Sequence, residues 1–176
     1  MNLFIYLLIC LISLAHQSHL LGRSSYSEQV LNYIMASLPK HGVLRRDPQG
    51  LVYVKIDNNY IHKLIEFIKG EGFKVPPYFG EGLHGAHITV VSPEETIYHA
   101  IGEISECGQV VRFHPKNCTI VHPPTWKAGE KAFLITVDSP ELDKLREKYR
   151  LPKNKYDFHI TIGIKAVESA NSLEDL

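Results

Sequence analysis

The sequence predicts an α+β fold made of two related lobes that face one another. Three observations carry that prediction. The segments Ala86-His87-Ile88-Thr89-Val90-Val91 and Phe158-His159-Ile160-Thr161-Ile162 hold the same His-Ile-Thr unit inside the same kind of β-forming run. Each of these runs follows a stretch with helical apolar spacing, so the two halves share an order of elements. The composition is globular: 176 residues, 44% hydrophobic and 22% charged, enough for one domain with a real core. Similarity between the halves outside the His-Ile-Thr units is slight and does not amount to an internal repeat.

Taken in order, residues Leu3 to Leu14 form an uninterrupted apolar run, too short for a comfortable membrane span and suited to the core of a signal peptide. Ser13 and Ala15 are the small residues a signal peptidase reads, which places cleavage after Ala15 and makes residues 1–15 the signal. The expectation is a secreted, periplasmic or lumenal protein with no stable membrane association once the signal is removed. An uncleaved N-terminal anchor and a buried first helix are the alternatives, and the missing Lys or Arg ahead of the apolar run speaks for keeping them open. The domain proper is expected over 25–167, with a flexible acidic tail at 168–176.

Within the domain, Ser25 to Leu38 places Val30, Ile34 and Leu38 near helical spacing and is stopped by Pro39 and Gly42. Asp47-Pro48-Gln49-Gly50 signals a turn, and Leu51 to Ile56 reads as a strand. Arg45-Arg46, just before it, reads as a solvated turn. Asn58 or Asn59 caps the next helix, whose stripe is Ile61, Leu64, Ile65 and Ile68, and Gly70 and Gly72 end it. A Gly/Pro-rich loop carrying Tyr78 and Phe79 leads into the first His-Ile-Thr strand. Ser92-Pro93-Glu94-Glu95 opens a helix expected to run to about Ser105. Val110 to Phe113 and Cys118 to Val121 read as strands separated by a Pro115-Lys116-Asn117 turn. His122 to Glu130 is a polar and aromatic loop containing Trp126 and Lys127, and Ala132 to Val137 is a strand. Ser139-Pro140-Glu141 opens a last helix through Tyr149, and the second His-Ile-Thr strand follows.

Nineteen basic residues balance 19 acidic ones, which gives no general attraction to nucleic acid and excludes long duplexes as substrates. A small nucleotide or a short RNA held in a local cleft fits, and the protein is taken as a monomer. Removal of the signal would take Cys10 and leave Cys107 and Cys118, which form either one disulfide or two separate thiols. Neither belongs to a metal-ligand cluster, so no cofactor or metal is expected. Asn117-Cys118-Thr119 is a glycosylation sequon, relevant only in a eukaryotic host.

The chemistry lies in the repeated unit. A strand sends alternate side chains to opposite faces, so His87 and Thr89 share one face, as do His159 and Thr161. One His-x-Thr tripeptide is weak, but two identical copies in two β runs form a far more specific pattern. Imidazole suits either proton role near neutrality, and a neighbouring hydroxyl can donate to phosphoryl oxygens. The side chains of Tyr78, Phe79 and Trp126 are candidates for stacking on a base, with loop packing as the plain alternative. Lys127, Lys155 and Tyr156 are candidates for holding phosphate or ribose, against simple solvation. His84 and His122 are read as surface residues.

On these two units the chain resembles the 2H phosphoesterase superfamily, over roughly Leu51 to Lys165. That group includes cyclic nucleotide phosphodiesterases, 2′,5′-oligoadenylate-degrading phosphodiesterases and bacterial proteins first described as 2′-5′ RNA ligases. The resemblance implies two pseudo-symmetric lobes of antiparallel sheet plus helices around a central cleft, with each His-x-Thr unit on a central strand. It implies metal-independent hydrolysis of an RNA-derived or nucleotide 2′,3′-cyclic phosphate or 2′-5′ linkage. By position, the catalytic residues are His87 and His159 and the phosphate-binding residues Thr89 and Thr161. It leans towards His159 as base and His87 as acid. The rival from another class is a non-catalytic nucleotide- or protein-binding module on the same fold.

Overall fold

The computed structural model describes residues 26–80, 82–124, 126–127 and 129–166. The signal segment 1–15 with Cys10 and the tail 168–176 lie outside them. Helix α1 (residues 26–37) is followed by β1 (His41–Arg46), β2 (Val52–Lys55), α2 (Asn59–His62), α3 (Ile65–Ile68) and a 3-10 turn (Lys69–Glu71). Then come β3 (His87–Val91), α4 (Pro93–Tyr98), β4 (Val110–Arg112), β5 (His114–Val121), β6 (Lys131–Asp138), α5 (Pro140–Lys148) and β7 (Phe158–Lys165).

The strands form two antiparallel sheets, ordered β3-β2-β1-β4 and β5-β6-β7. This is the α+β class expected, and it contains a duplication. Strands β1 and β2 pair, helices follow, and β3 returns against β2; strands β5 and β6 pair, α5 follows, and β7 returns against β6. Each His-Ile-Thr unit therefore closes a β-β-α-β unit. Both units lie on edge strands, not on central strands of their sheets, and β3 packs beside β7 where the sheets meet. The central position implied by the resemblance holds for the molecule and not for either sheet.

Hydrophobic alternation explains which face turns inward. Along β3 the isoleucine of the unit, Ile88, and Val90 are buried while His87 and Thr89 stay half-exposed; along β7, Phe158, Ile160 and Ile162 are buried between half-exposed His159 and Thr161. Leu44, Val54, Ile61, Leu64 and Ile135 fill the interior with them, each burial worth about 1.5–3 kcal/mol relative to exposure.

Several elements depart from the sequence reading. Arg45 and Arg46 are not a turn but end β1, and the Arg46 guanidinium donates to the carbonyls of Gly102 and Ile101. The helix expected from Asn58 to Ile68 is split at Lys63-Leu64, although Ile61, Leu64, Ile65 and Ile68 are all buried as the stripe requires. Helix α4 ends at Tyr98, well short of Ser105. Ile97 and Tyr98 are 78% and 85% exposed, so a further turn has no apolar face to bury, and Ala100 turns left-handed at φ 48°.

The chain crosses between sheets at buried Phe113, and Pro115-Lys116-Asn117 is a bulge inside β5 and not a turn between strands. Pro115 opposes Val137 and Asn117 opposes Thr136, so Lys116 is the extra residue. An edge strand at a bulge tolerates a proline without losing a ladder bond. Both predicted serine starts are real: Ser92 forms a full capping box with Glu95, and Ser139 caps α5. Cys107 and Cys118 are separate free thiols, and burial pushes Cys118 up to about 12. Among the described residues, no helix is long and apolar enough to cross a membrane.

Candidate active site

Strand β3 brings His87 and Thr89, and β7 brings His159 and Thr161, to the line where the two lobes touch. His159 is near enough for its charge to act on His87. The two imidazoles are held alike. Nδ1 of His87 lies 2.7 Å from the Gly85 carbonyl, and Nδ1 of His159 lies 3.0 Å from the Asp157 carbonyl. A carbonyl only accepts, so Nδ1 carries the proton in both rings. Nε2 of each has no partner among the described residues and can give or take a proton.

The backbone around His87 is tightly fixed. Gly85 sits at φ +72°, and a Cβ there would come 2.5 Å from Asn58 Oδ1. That oxygen accepts from the Ala86 amide at 3.0 Å, while the Gly85 amide donates to Tyr78 O at 3.3 Å. Only glycine allows the turn and the close approach together. Burial is the main influence on His87, lowering it from the ordinary imidazole value. The Gly85 carbonyl raises it, and the charges of His84 and His159 lower it again.

Tyr78 packs its ring 4.8 Å from that of His87, and its hydroxyl lies 3.5 Å from the Thr161 carbonyl, so this side chain spans the two lobes. Burial raises its phenol above the usual value despite the Thr161 contact. Phe79 turns away, packing on the core with its ring 4.7 Å from His62.

Trp126 is half-buried and Lys127 exposed in the loop after β5, and no ring contact or hydrogen bond joins either to the histidines. Tyr156 is 65% exposed with Lys155 Nζ 5.4 Å from its ring centroid, three residues ahead of His159. His122 is exposed, as expected.

His84 corrects the sequence reading: it is not a free surface histidine. Its Nε2 lies 2.8 Å from Asp47 Oδ2, and its ring is 5.9 Å from that of His87. Tyr53 stands edge-on to both rings, at 5.0 Å from His84 and 5.7 Å from His87. Burial works against the Asp47 carboxylate, but hydrogen bonds from His84 and the Leu51 and Gln49 backbone hold it below its ordinary value. Asp47, Tyr53 and His84 were missed because they meet only through the fold. The one local sign was a third histidine, three residues before His87 and next to a glycine. Lys55 lies directly across the ladder from His87 and Tyr53 across from Thr89, so both extend the same face of the sheet.

A family model described as "Swiss Army Knife, 2H phosphoesterase domain" matches residues 52–169, from the start of β2 through the end of β7. No curated protein and no solved structure matches the chain. The match takes in both His-Ile-Thr strands, two thirds of the sequence and all of the second lobe, and the activity it indicates is of the phosphodiesterase type. The chain belongs to the 2H phosphoesterase family.

Proposed function

We propose that the protein is a metal-independent phosphodiesterase that hydrolyses an RNA-derived or nucleotide 2′,3′-cyclic phosphate, with a 2′-5′ linkage as the second candidate. The observation that carries this reading is the matched pair of imidazoles, each with Nδ1 tied to a carbonyl and Nε2 free, on adjacent edge strands of opposite lobes. Hydrolysis needs one group to accept the proton of the attacking water and another to protonate the leaving oxygen from the far side of phosphorus. Two lobes that each supply one imidazole meet that requirement with no further proton carrier. Thr89 and Thr161 stand two residues beyond, on the same faces, with hydroxyls to donate to the non-bridging oxygens as their charge grows. Lys55, opposite His87, adds a cation to the face a nucleotide phosphate would occupy.

The test is turnover of a panel of 2′,3′-cyclic nucleotides and 2′-5′ dinucleotides by the wild type, His87→Ala and His159→Ala. Each variant is expected to lose on the order of 10²–10⁴-fold in kcat while keeping its circular dichroism. A folded variant with near-normal turnover removes that histidine from the mechanism. A wild type that binds nucleotides and turns none over is a binding module.

A further inference from the structure

The strands of the first sheet contain no acidic residue, although the chain as a whole carries as many acids as bases. Their cations are Arg45, Arg46, Lys55 and Arg112. Lys55 is paired with His87 on one side and Val43 on the other, while Tyr53 is paired with Thr89 and Arg45. Directly paired residues share a face of the sheet. The face that carries His87 and Thr89 therefore continues through Lys55 and Tyr53 to Arg45. We propose that this face is a phosphate track for single-stranded RNA, in which Lys55 and Arg45 hold the phosphates next to the one at the histidines. The substrate is then the end of an oligonucleotide and not a free mononucleotide. The placement of the reacting phosphate rests on the phosphodiesterase reading above.

Both cations are exposed and make no ion pair or hydrogen bond among the described residues. Arg46 differs: the strand alternation sends it to the other face, where it bonds to the Gly102 and Ile101 carbonyls. Arg112 lies beside His41 at the far end of the sheet, off the row. The acids in the turns after β1 and β2 are already engaged. Asp47 holds His84 at 2.8 Å, and Asp57 accepts the Asn59 amide at 2.8 Å.

Lys55 and Arg45 are diagonal neighbours on adjacent strands, about 7–8 Å apart at their backbones. That is inside the Debye length of about 10 Å at 0.1 M salt, so their charges repel and an anion between them relieves the strain. With strands about 4.8 Å apart, Lys55 stands one spacing from His87 and Arg45 two spacings from Thr89. Tyr53, half-exposed between them, offers a ring to the base that joins two phosphates. The second lobe has no such row. Thr136 and then Asn117 extend the line from His159, and Leu134 and then Thr119 the line from Thr161. Its Lys116 is paired with Asp138 at 3.2 Å, and its Lys165 donates to the Glu71 carbonyl at 2.7 Å.

The test measures binding of a short fluorescent oligouridylate to the full chain by anisotropy across a salt series. Arg45→Gln and Lys55→Gln are compared with Lys144→Gln, the same loss of charge at an exposed position on α5. Wild type is expected to bind with log K falling against log salt at a slope of about −1.4 or steeper, the value for two neutralised phosphates of a single strand. Arg45→Gln and Lys55→Gln should each weaken binding several-fold and flatten the slope by about 0.7, with Lys144→Gln unchanged. Equal losses in all three variants overturn the proposal, because the effect is then bulk charge. No loss in Arg45→Gln overturns it too, because the site then stops at one phosphate. So does a wild type that binds no oligouridylate. Binding is read without turnover, so the two readings fail separately. A chain that binds the strand and cuts no cyclic phosphate refutes the enzyme; one that cuts a cyclic mononucleotide and binds no strand refutes the track.

Discussion

Arg146 on α5 is 4% exposed and reaches out of the second lobe into the first. Its guanidinium donates to Glu95 Oε1 at 2.7 Å, to the Val90 carbonyl at 2.6 Å and to the Pro152 carbonyl at 2.8 Å. Val90 follows Thr89 on β3, and Glu95 belongs to the capping box of α4, so one side chain joins β3, the helix after it and the other lobe. Arg146→Met keeps an apolar stem of similar reach and deletes every donor. Removing one partner of a buried ion pair costs about 3–5 kcal/mol. Glu95 is 32% exposed and regains some water, which places the expected loss at the low end, about 3 kcal/mol. Urea unfolding with an unchanged slope measures it. Arg146 is the first cause of the Glu95 carboxyl lying below its ordinary value. A depressed carboxyl stabilises the fold above its unfolded pKa, roughly 4.3, and that stability is lost as pH falls through the folded value. The difference between wild type and Arg146→Met should therefore shrink as the solution is acidified below about pH 4. A loss under about 1 kcal/mol near neutrality, or a difference that does not shrink in acid, refutes the argument.

Three other outcomes are expected. Gly85→Ala, strained by its positive φ and facing Asn58 Oδ1 at 2.5 Å, should cost roughly 2 kcal/mol in thermal or urea unfolding and also slow turnover, since it displaces the carbonyl that orients His87. Thr89→Val and Thr161→Val should each lower kcat by on the order of 10²-fold with a smaller change in KM, because the hydroxyls face charge that grows in the transition state; wild-type kcat would make them structural. Activity should survive EDTA, since the proposed reaction takes both proton roles from imidazoles; loss on chelation with recovery on one added metal would reject the mechanism.

What could be read from the sequence was what is written locally. The period of two in β3 and β7 places His87, Thr89, His159 and Thr161 on accessible faces, and burial follows that alternation from His87 to Val90 and from Phe158 to Ile162. The serine starts at Ser92 and Ser139 were visible because a cap is a short-range hydrogen bond. Strand β1 was hidden because Gly42 and the paired arginines mask its alternation, which surfaces only in Leu44 buried between Val43 and Arg45. The edge positions of β3 and β7 depend on sheet order, which no residue spacing encodes. Asp47 and His84 stand 37 residues apart and meet only when β2 is paired on both sides. A surface reading of His84 was the natural one for a histidine with no visible partner.

The shared tether of the two imidazoles bears on what happens after the bond is cut. Because Nδ1 of each ring keeps its proton on a backbone carbonyl, only the Nε2 positions change state. Hydrolysis as proposed loads one Nε2 and empties the other, so a finished cycle leaves the pair in the mirror image of its starting condition. Before the next substrate is cut, one proton must leave the ring that served as base and another must arrive at the ring that served as acid, and water or buffer has to carry them. His87 lies deeper, under the rings of Tyr53 and Tyr78, than its counterpart beside the open Tyr156. Recharging is thus a step in its own right for the proposed reaction, with the more enclosed path on the side of the first lobe.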